Sequence, residues 1–285
     1  MDPAGARRVV GIDPGPKKGL HCYDGTGETP KPEQIPLSES RTYLQSLEKD
    51  ASALVCWDAP LTGPPPLSTA FDGQGPKGSD LSQRPIEAFF SRNKNGLKVP
   101  KGISVMPYSG CPHWTISRAL LGLPRMGPYD QADGLPFQLC TTNDPPSSGP
   151  LIVEVHPAVA LWLWTKEEYE SQNDSSWQYK KEPETLARLA KCLIAKLPEG
   201  SLREMLQAII YSNPESTDEK GKAIGGSTDD DLDCFVAYAL GTIWLQDNSK
   251  VILLGDSDTG SFLVPNVDDI AKKWKVFRQR VLKDK

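Results

Sequence analysis

Histidine is scarce in this chain, with three in 285 residues, and the six cysteines at 22, 56, 111, 140, 192 and 234 form no C-x-x-C pair. That spacing argues against a disulfide framework and gives a zinc site little support, Cys111 with His113 being the single close pair. Several cysteines sit inside apolar runs such as Leu54-Val55-Cys56-Trp57 and read as small core residues. No run approaches the roughly 18 apolar residues of a membrane helix. Basic residues near Met1 to Arg8 are not followed by an apolar stretch, so a soluble, cytoplasmic protein without a secretory leader is expected. A basic surplus is missing too: 32 Lys and Arg stand against 37 Asp and Glu, a net charge of −5. Proteins that hold duplex DNA by its phosphates usually carry such a surplus, so any nucleic-acid contact here must be local.

What is present suits a packed α/β protein. Hydrophobic residues make up 38% and charged residues 24%, enough for a core, while 26 Pro and 24 Gly predict long ordered loops. Arg8 to Asp13, Ala53 to Asp58 and Leu151 to Glu154 are short apolar runs, each ending in an acid and each followed by proline within a few residues. Such runs suit strands covered by helices on both faces. Gly19 to Asp24 reads as a strand forming a hairpin with the first. Helical patterns cover 38–49, 85–93, 113–121, 158–166, 183–197, 202–211 and 230–245, and a hairpin over 251–264 precedes a basic amphipathic helix over 267–282. No composition break divides the chain. It reads as one elaborated domain with long insertions near 61–150 and 165–228.

Acids at strand ends lie where open α/β sheets receive ligands. Within its own strand Asp13 shares a face with Gly11 and Val9, Asp58 with Cys56 and Leu54, and Glu154 with Ile152. Gly11 is expected to leave open space beside Asp13. On the helix at 230–245, Asp230 and Asp233 stand about 60° apart and so share one side. Cys234, Ala237 and Gly241 continue that side as a stripe of small residues, which lets the helix lie close against the sheet. Asp229 and Asp231 also fit a plainer role as anions at a helix N-terminus. Carboxylates converging in this way repel unless a cation sits among them, and an oxygen-only ligand set suits Mg2+ or Mn2+. Structural acids at strand ends are the competing reading.

Val10-Gly11-Ile12-Asp13-Pro14-Gly15 resembles the first-strand motif of RNase H-like nucleases, including the RuvC Holliday-junction resolvases. Asp230-x-x-Asp233 resembles their C-terminal catalytic helix, with Cys234 where alanine is usual. Closer still is the family of RNase H-fold nucleases termed domain of unknown function 429. Its pattern is matched by Trp57-Asp58-Ala59-Pro60-Leu61, Arg84-Pro85-Ile86-Glu87, Glu154-Val155-His156-Pro157 and Gly260 to Pro265. The resemblance implies a five-stranded mixed sheet, three antiparallel strands then two parallel ones, with helices on both faces. It also implies a nuclease in which Asp13, Asp58, Asp230 and Asp233 hold two metal ions, Asp13 bridging them, with Glu154 as a further catalytic candidate. The departures from the pattern, Cys234 and an insertion from Gln172 to Trp177 and beyond, are expected to touch no carboxylate.

Arg84 is a candidate for a substrate phosphate, against a simple i,i+3 ion pair with Glu87. Lys17 and Lys18 read either as turn charges or as partners of an anionic substrate, and Arg92, Lys94, Lys98 and Lys101 as a solvated face or a strand-binding platform. His156 is a further substrate-binding candidate, expected to orient a neighbour through a hydrogen bond rather than to act as a general base. A second class stays open, because Gly11 to Gly15 also resembles the first phosphate loop of actin-like and sugar-kinase ATPases, and Gly255 to Gly260 superficially offers the second. A non-catalytic nucleic-acid-binding relative is the third.

Overall fold

The computed structural model describes residues 7–26, 31–62, 84–91, 97, 99–105, 111–123, 137–171, 177–211, 216–217, 223–224, 228–256 and 259–283. A six-stranded mixed sheet organises them. Strands β1 (Arg8–Gly15), β2 (Gly19–Asp24) and β3 (Glu33–Ile35) form an antiparallel meander, joined through helix α1 (Leu37–Glu48) to β4 (Ala53–Trp57). β4 lies parallel to β1, and β6 (Leu151–Glu154) lies parallel to β4. The sheet order is β3-β2-β1-β4-β6-β5.

The sixth strand corrects the five-stranded expectation. It is β5 (Gln138–Leu139), two residues paired parallel to β6 inside the segment read as insertion. Without it, β6 would be an edge strand with unpaired backbone groups; Gln138 N–H instead reaches Pro150 O at 2.9 Å and Cys140 N–H reaches Ile152 O at 2.8 Å.

Side-chain alternation divides the core in two. Val10, Ile12, Val55, Trp57 and Ile152 face α1 and α3 (Pro112–Leu121), while Val9, Leu54, Cys56, Leu151 and Val153 face the opposite layer. That second layer is built from α4 (Pro157–Ser171), α5 (Pro183–Lys196), α6 (Ser201–Tyr211) and α7 (Asp229–Gln246). α2 (Pro85–Ser91), the hairpin β9 (Val251–Asp256) and β10 (Gly260–Pro265), and α8 (Ile270–Lys283) extend the same core. A two-stranded ribbon pairs β7 (Ser216–Thr217) with β8 (Ala223–Ile224).

α7 is apolar on nearly all sides and buried from Leu232 to Gly241, as an all-round hydrophobic helix must be. Its N-terminus carries a capping box: the Asp231 N–H donates to Thr228 Oγ1, and the Thr228 N–H donates back to the Asp231 carboxylate. Asp231 therefore has the helix-end role expected of it.

Two glycines set how closely α7 approaches the sheet. A Cβ at Gly241 would stand 2.4 Å from Cys56 Sγ, and one at Gly11 would stand 2.0 Å from Cys234 O and 2.4 Å from Tyr238 N. The small-residue stripe thus works as expected, but Gly11 does not open space beside Asp13. It makes room for the backbone of α7.

Candidate metal centre

Three carboxylates converge at one end of the sheet. Asp13 comes from the C-terminal part of β1, Asp58 from the residue just past β4, and Asp233 from the second turn of α7. Each offers an oxygen, and these oxygens lie within 4.8 Å of one another. Asp13 and Asp233 are buried, at 6% and 1% exposure, and Asp58 is half-buried. The placement follows from the fold: β1 and β4 are parallel neighbours, with Gly11 beside Cys56 and Ile12 beside Trp57, so Asp13 and Asp58 emerge together. The close docking of α7 then carries Asp233 onto them.

Electrostatics mark the trio as under-compensated. Burial, followed by repulsion from Asp233, pushes the Asp13 carboxyl up to about 7, with Lys180 opposing the rise. Asp58 is raised well above the usual carboxylate range by burial and then by Asp13 and Asp233. Like charges in a poorly hydrated site favour the protonated form unless a cation arrives. The donor set is carboxylate only, the kind of oxygen set that suits a hard divalent ion such as Mg2+ or Mn2+. Cys111 and His113 approach each other at 3.6 Å, and among the described residues no metal-competent group of three or more other than the aspartate trio is present.

Asp230 stands apart from the trio. Its carboxylate pairs with Lys18 Nζ at 2.5 Å and lies 3.5 Å from His21 Nε2. His21 sits opposite Asp13 in the β1–β2 register and is held toward its charged form by the neighbouring Asp231 carboxylate, 3.9 Å from its Nδ1, against the effect of burial. Lys17 is exposed on the β1–β2 turn. With Lys18, His21, His113 and Asp230 it lines a cleft on one side of Asp13.

Glu154 belongs to a different cluster. It pairs in register with Trp57, one residue short of Asp58, and its carboxylate is taken up by Arg84 although it lines the same cleft as Asp13 and Asp58. Arg84 grips it with two charge-assisted bonds, Nη1 to Oε2 at 2.8 Å and Nη2 to Oε1 at 2.6 Å. Arg84 also donates to Glu87 Oε1 at 2.8 Å and to Thr62 Oγ1 at 2.8 Å. Arg84, Glu87 and Glu154 are each about 1% exposed. The expected Arg84–Glu87 pair exists, but it is buried within a larger network. Burial works against the Arg84 charge, yet Glu154 and Glu87 raise its pKa further. Its fork is committed to protein, with its planar donors aimed at carboxylates.

A second cleft, of about 240 Å³, runs from Asp13 and Asp58 past Lys180 and Tyr179 to Arg84, Glu154, His156 and Phe262. Burial and then the nearby Lys180 charge lower His156 to about 4, so it is neutral at pH 7. Among the described residues its Nδ1 has no hydrogen-bond partner, and its ring meets Phe262 edge-on at 5.5 Å.

Two residues at this centre carry no motif. Tyr179 Oη donates to Asp233 Oδ1 at 2.7 Å, and Lys180 Nζ to Asp233 Oδ2 at 2.7 Å. Both lie in the segment read as an insertion that touches no carboxylate, so that expectation is corrected. Their sequence signal is faint: a Trp-x-Tyr-Lys run whose aromatic residues mark an anchored segment. Of the basic patch, Arg92, Lys94 and Lys98 lie outside the described residues, and Lys101 is exposed. Asp256, from the second phosphate-loop candidate, pairs with Arg278 at 2.6 Å and with Thr259.

No protein-family model, curated protein or solved structure matches this chain. Among the described residues, no helix is long and apolar enough to cross a membrane.

Proposed function

We propose that this protein is an RNase H-like, Mg2+- or Mn2+-dependent nuclease that hydrolyses phosphodiester bonds in nucleic acid. The observation that carries the reading is the convergence of Asp13, Asp58 and Asp233 from three separate elements into one oxygen cage within 4.8 Å. The sheet order supports the fold assignment: an antiparallel meander continued by parallel strands, with acids at the ends of β1 and β4 and a buried helix supplying the third.

The trio would hold the ion, which when bound supplies Lewis-acid stabilisation of the negative charge that develops as a phosphodiester is cleaved. The surrounding residues orient and balance. Tyr179 fixes the Asp233 carboxylate by its hydroxyl. Lys17, exposed in the cleft beside Asp13, is placed to meet a neighbouring phosphate, while Lys18 is held by Asp230. Arg84 serves the site indirectly, tying Thr62, Glu87 and Glu154 together behind Asp58.

The direct test is a cleavage screen over single-stranded, duplex, hybrid and branched substrates with Mg2+, Mn2+ or chelator. Metal-dependent strand cleavage lost in Asp58→Asn is the expected result. ATP turnover with no strand cleavage on any substrate would replace this reading with the ATPase one.

A further inference from the structure

Lys180 stands against the carboxylate trio, and its position is built rather than incidental. The segment 177–182 that delivers it is pinned at both ends. Trp177 is 1% exposed and packs on Tyr169 with ring centroids 4.7 Å apart. The backbone of Trp177 passes so close to Gly102 that a Cβ there would stand 2.9 Å from its carbonyl carbon. The Lys181 and Glu182 N–H groups close a turn onto Gln178 O at 2.8 and 3.0 Å. Between these anchors, Tyr179 and Lys180 both reach Asp233. The Lys180 side chain is 49% exposed along its length, but its ammonium meets a carboxylate that is 1% exposed.

We propose that Lys180 is the second positive charge of a one-ion centre, in place of a second metal. The inference rests on the metal-dependent reading above and names the composition of that site. Three carboxylates and one ammonium carry a formal charge of −2, which a single divalent ion neutralises. Two divalent ions beside Lys180 would leave the cluster strongly cationic. A second ion would also need a further acidic ligand, and Asp230, the nearest candidate by sequence, is engaged by Lys18. The ammonium lines the same cleft as Asp13 and Asp58. It is therefore placed to offset the charge of a phosphodiester there without being a metal ligand. Lys180 is a positioning and charge-balancing residue that acts through Asp233.

Mn2+ alone is the probe. Wild type, Lys180→Met, Lys180→Arg and Asp13→Asn are titrated with Mn2+ by calorimetry and by the paramagnetic resonance signal of the free ion. Circular dichroism checks each fold. The expected result is one Mn2+ per wild-type chain, lost in Asp13→Asn. Removing a unit charge from about 4 Å away tightens Mn2+ binding in Lys180→Met by about tenfold or more, while Lys180→Arg stays within about twofold of wild type. Two equivalents in wild type, or a Lys180→Met affinity that is unchanged or weaker, overturns the one-ion-plus-lysine centre but leaves a metal nuclease standing. No Mn2+ binding to wild type overturns the metal reading and this inference with it.

Discussion

A Cβ on Gly11 would stand 2.0 Å from the Cys234 carbonyl oxygen, so the absence of a side chain at Gly11 brings Asp233 to Asp13. The obstruction is backbone, which cannot swing aside as a flexible side chain would. Gly11→Ala must push α7 outward and is expected to cost about 3 kcal/mol or more, the upper range for overpacking a well-filled core. Urea unfolding of the two proteins measures this. A variant of wild-type stability would mean that α7 is not docked on β1 as described.

Arg84→Met separates a structural role from a substrate role for the arginine. Removing it leaves Glu154 and Glu87 buried without their cation, and breaking a buried ion network in this way costs about 3–5 kcal/mol. Burial already raises the Glu154 pKa despite Arg84. Replacing both glutamates by Gln in the same chain should recover part of the loss. Unchanged stability with weaker substrate binding would instead make Arg84 a phosphate ligand.

The Asp13 carboxyl gives a pH dependence of definite sign in the presence of chelator. Its pKa rises from 3.8 to about 7 on folding. Between those values the folded state holds more protons than the unfolded state, so stability falls as pH rises. The contribution is fully present below pH 3.8 and is lost as pH passes about 7. Asp58 acts in the same direction. His156 runs the other way: its pKa falls from 6.5 to about 4, so its contribution is lost as pH falls through that window. The stability difference between wild type and Asp13→Asn isolates the first effect. It should move against wild type from pH 4 to pH 8, and a flat difference would contradict the crowded-carboxylate account.

Much of this architecture is legible in the sequence because burial leaves a local mark. The runs at Arg8, Ala53 and Leu151 are apolar on both faces, and the stripe of Cys234, Ala237 and Gly241 announces a helix pressed on a sheet. Asp13, Asp58 and Asp233 follow from those elements. What escapes is non-local. Alternation within a strand shows which residues share its face but not which distant side chain meets them, so nothing local reveals that Glu154 belongs with Arg84, 70 residues away. Lys180 meets Asp233 from 53 residues away, through a segment with neither periodicity nor motif. β5, with two residues, has too few side chains to show any alternation.

The most direct test of the account is thermal unfolding of wild type and Asp13→Asn with chelator and with saturating Mn2+. Asn keeps the size and hydrogen-bonding capacity of Asp13 but loses the charge that holds a hard cation. An ion that binds only the folded state at about 100 times its dissociation constant stabilises by about 2.7 kcal/mol. The wild-type melting temperature should therefore rise with Mn2+, while Asp13→Asn, at least as stable as wild type in chelator, should not respond. An equal rise in both proteins would contradict a metal centre at Asp13, Asp58 and Asp233.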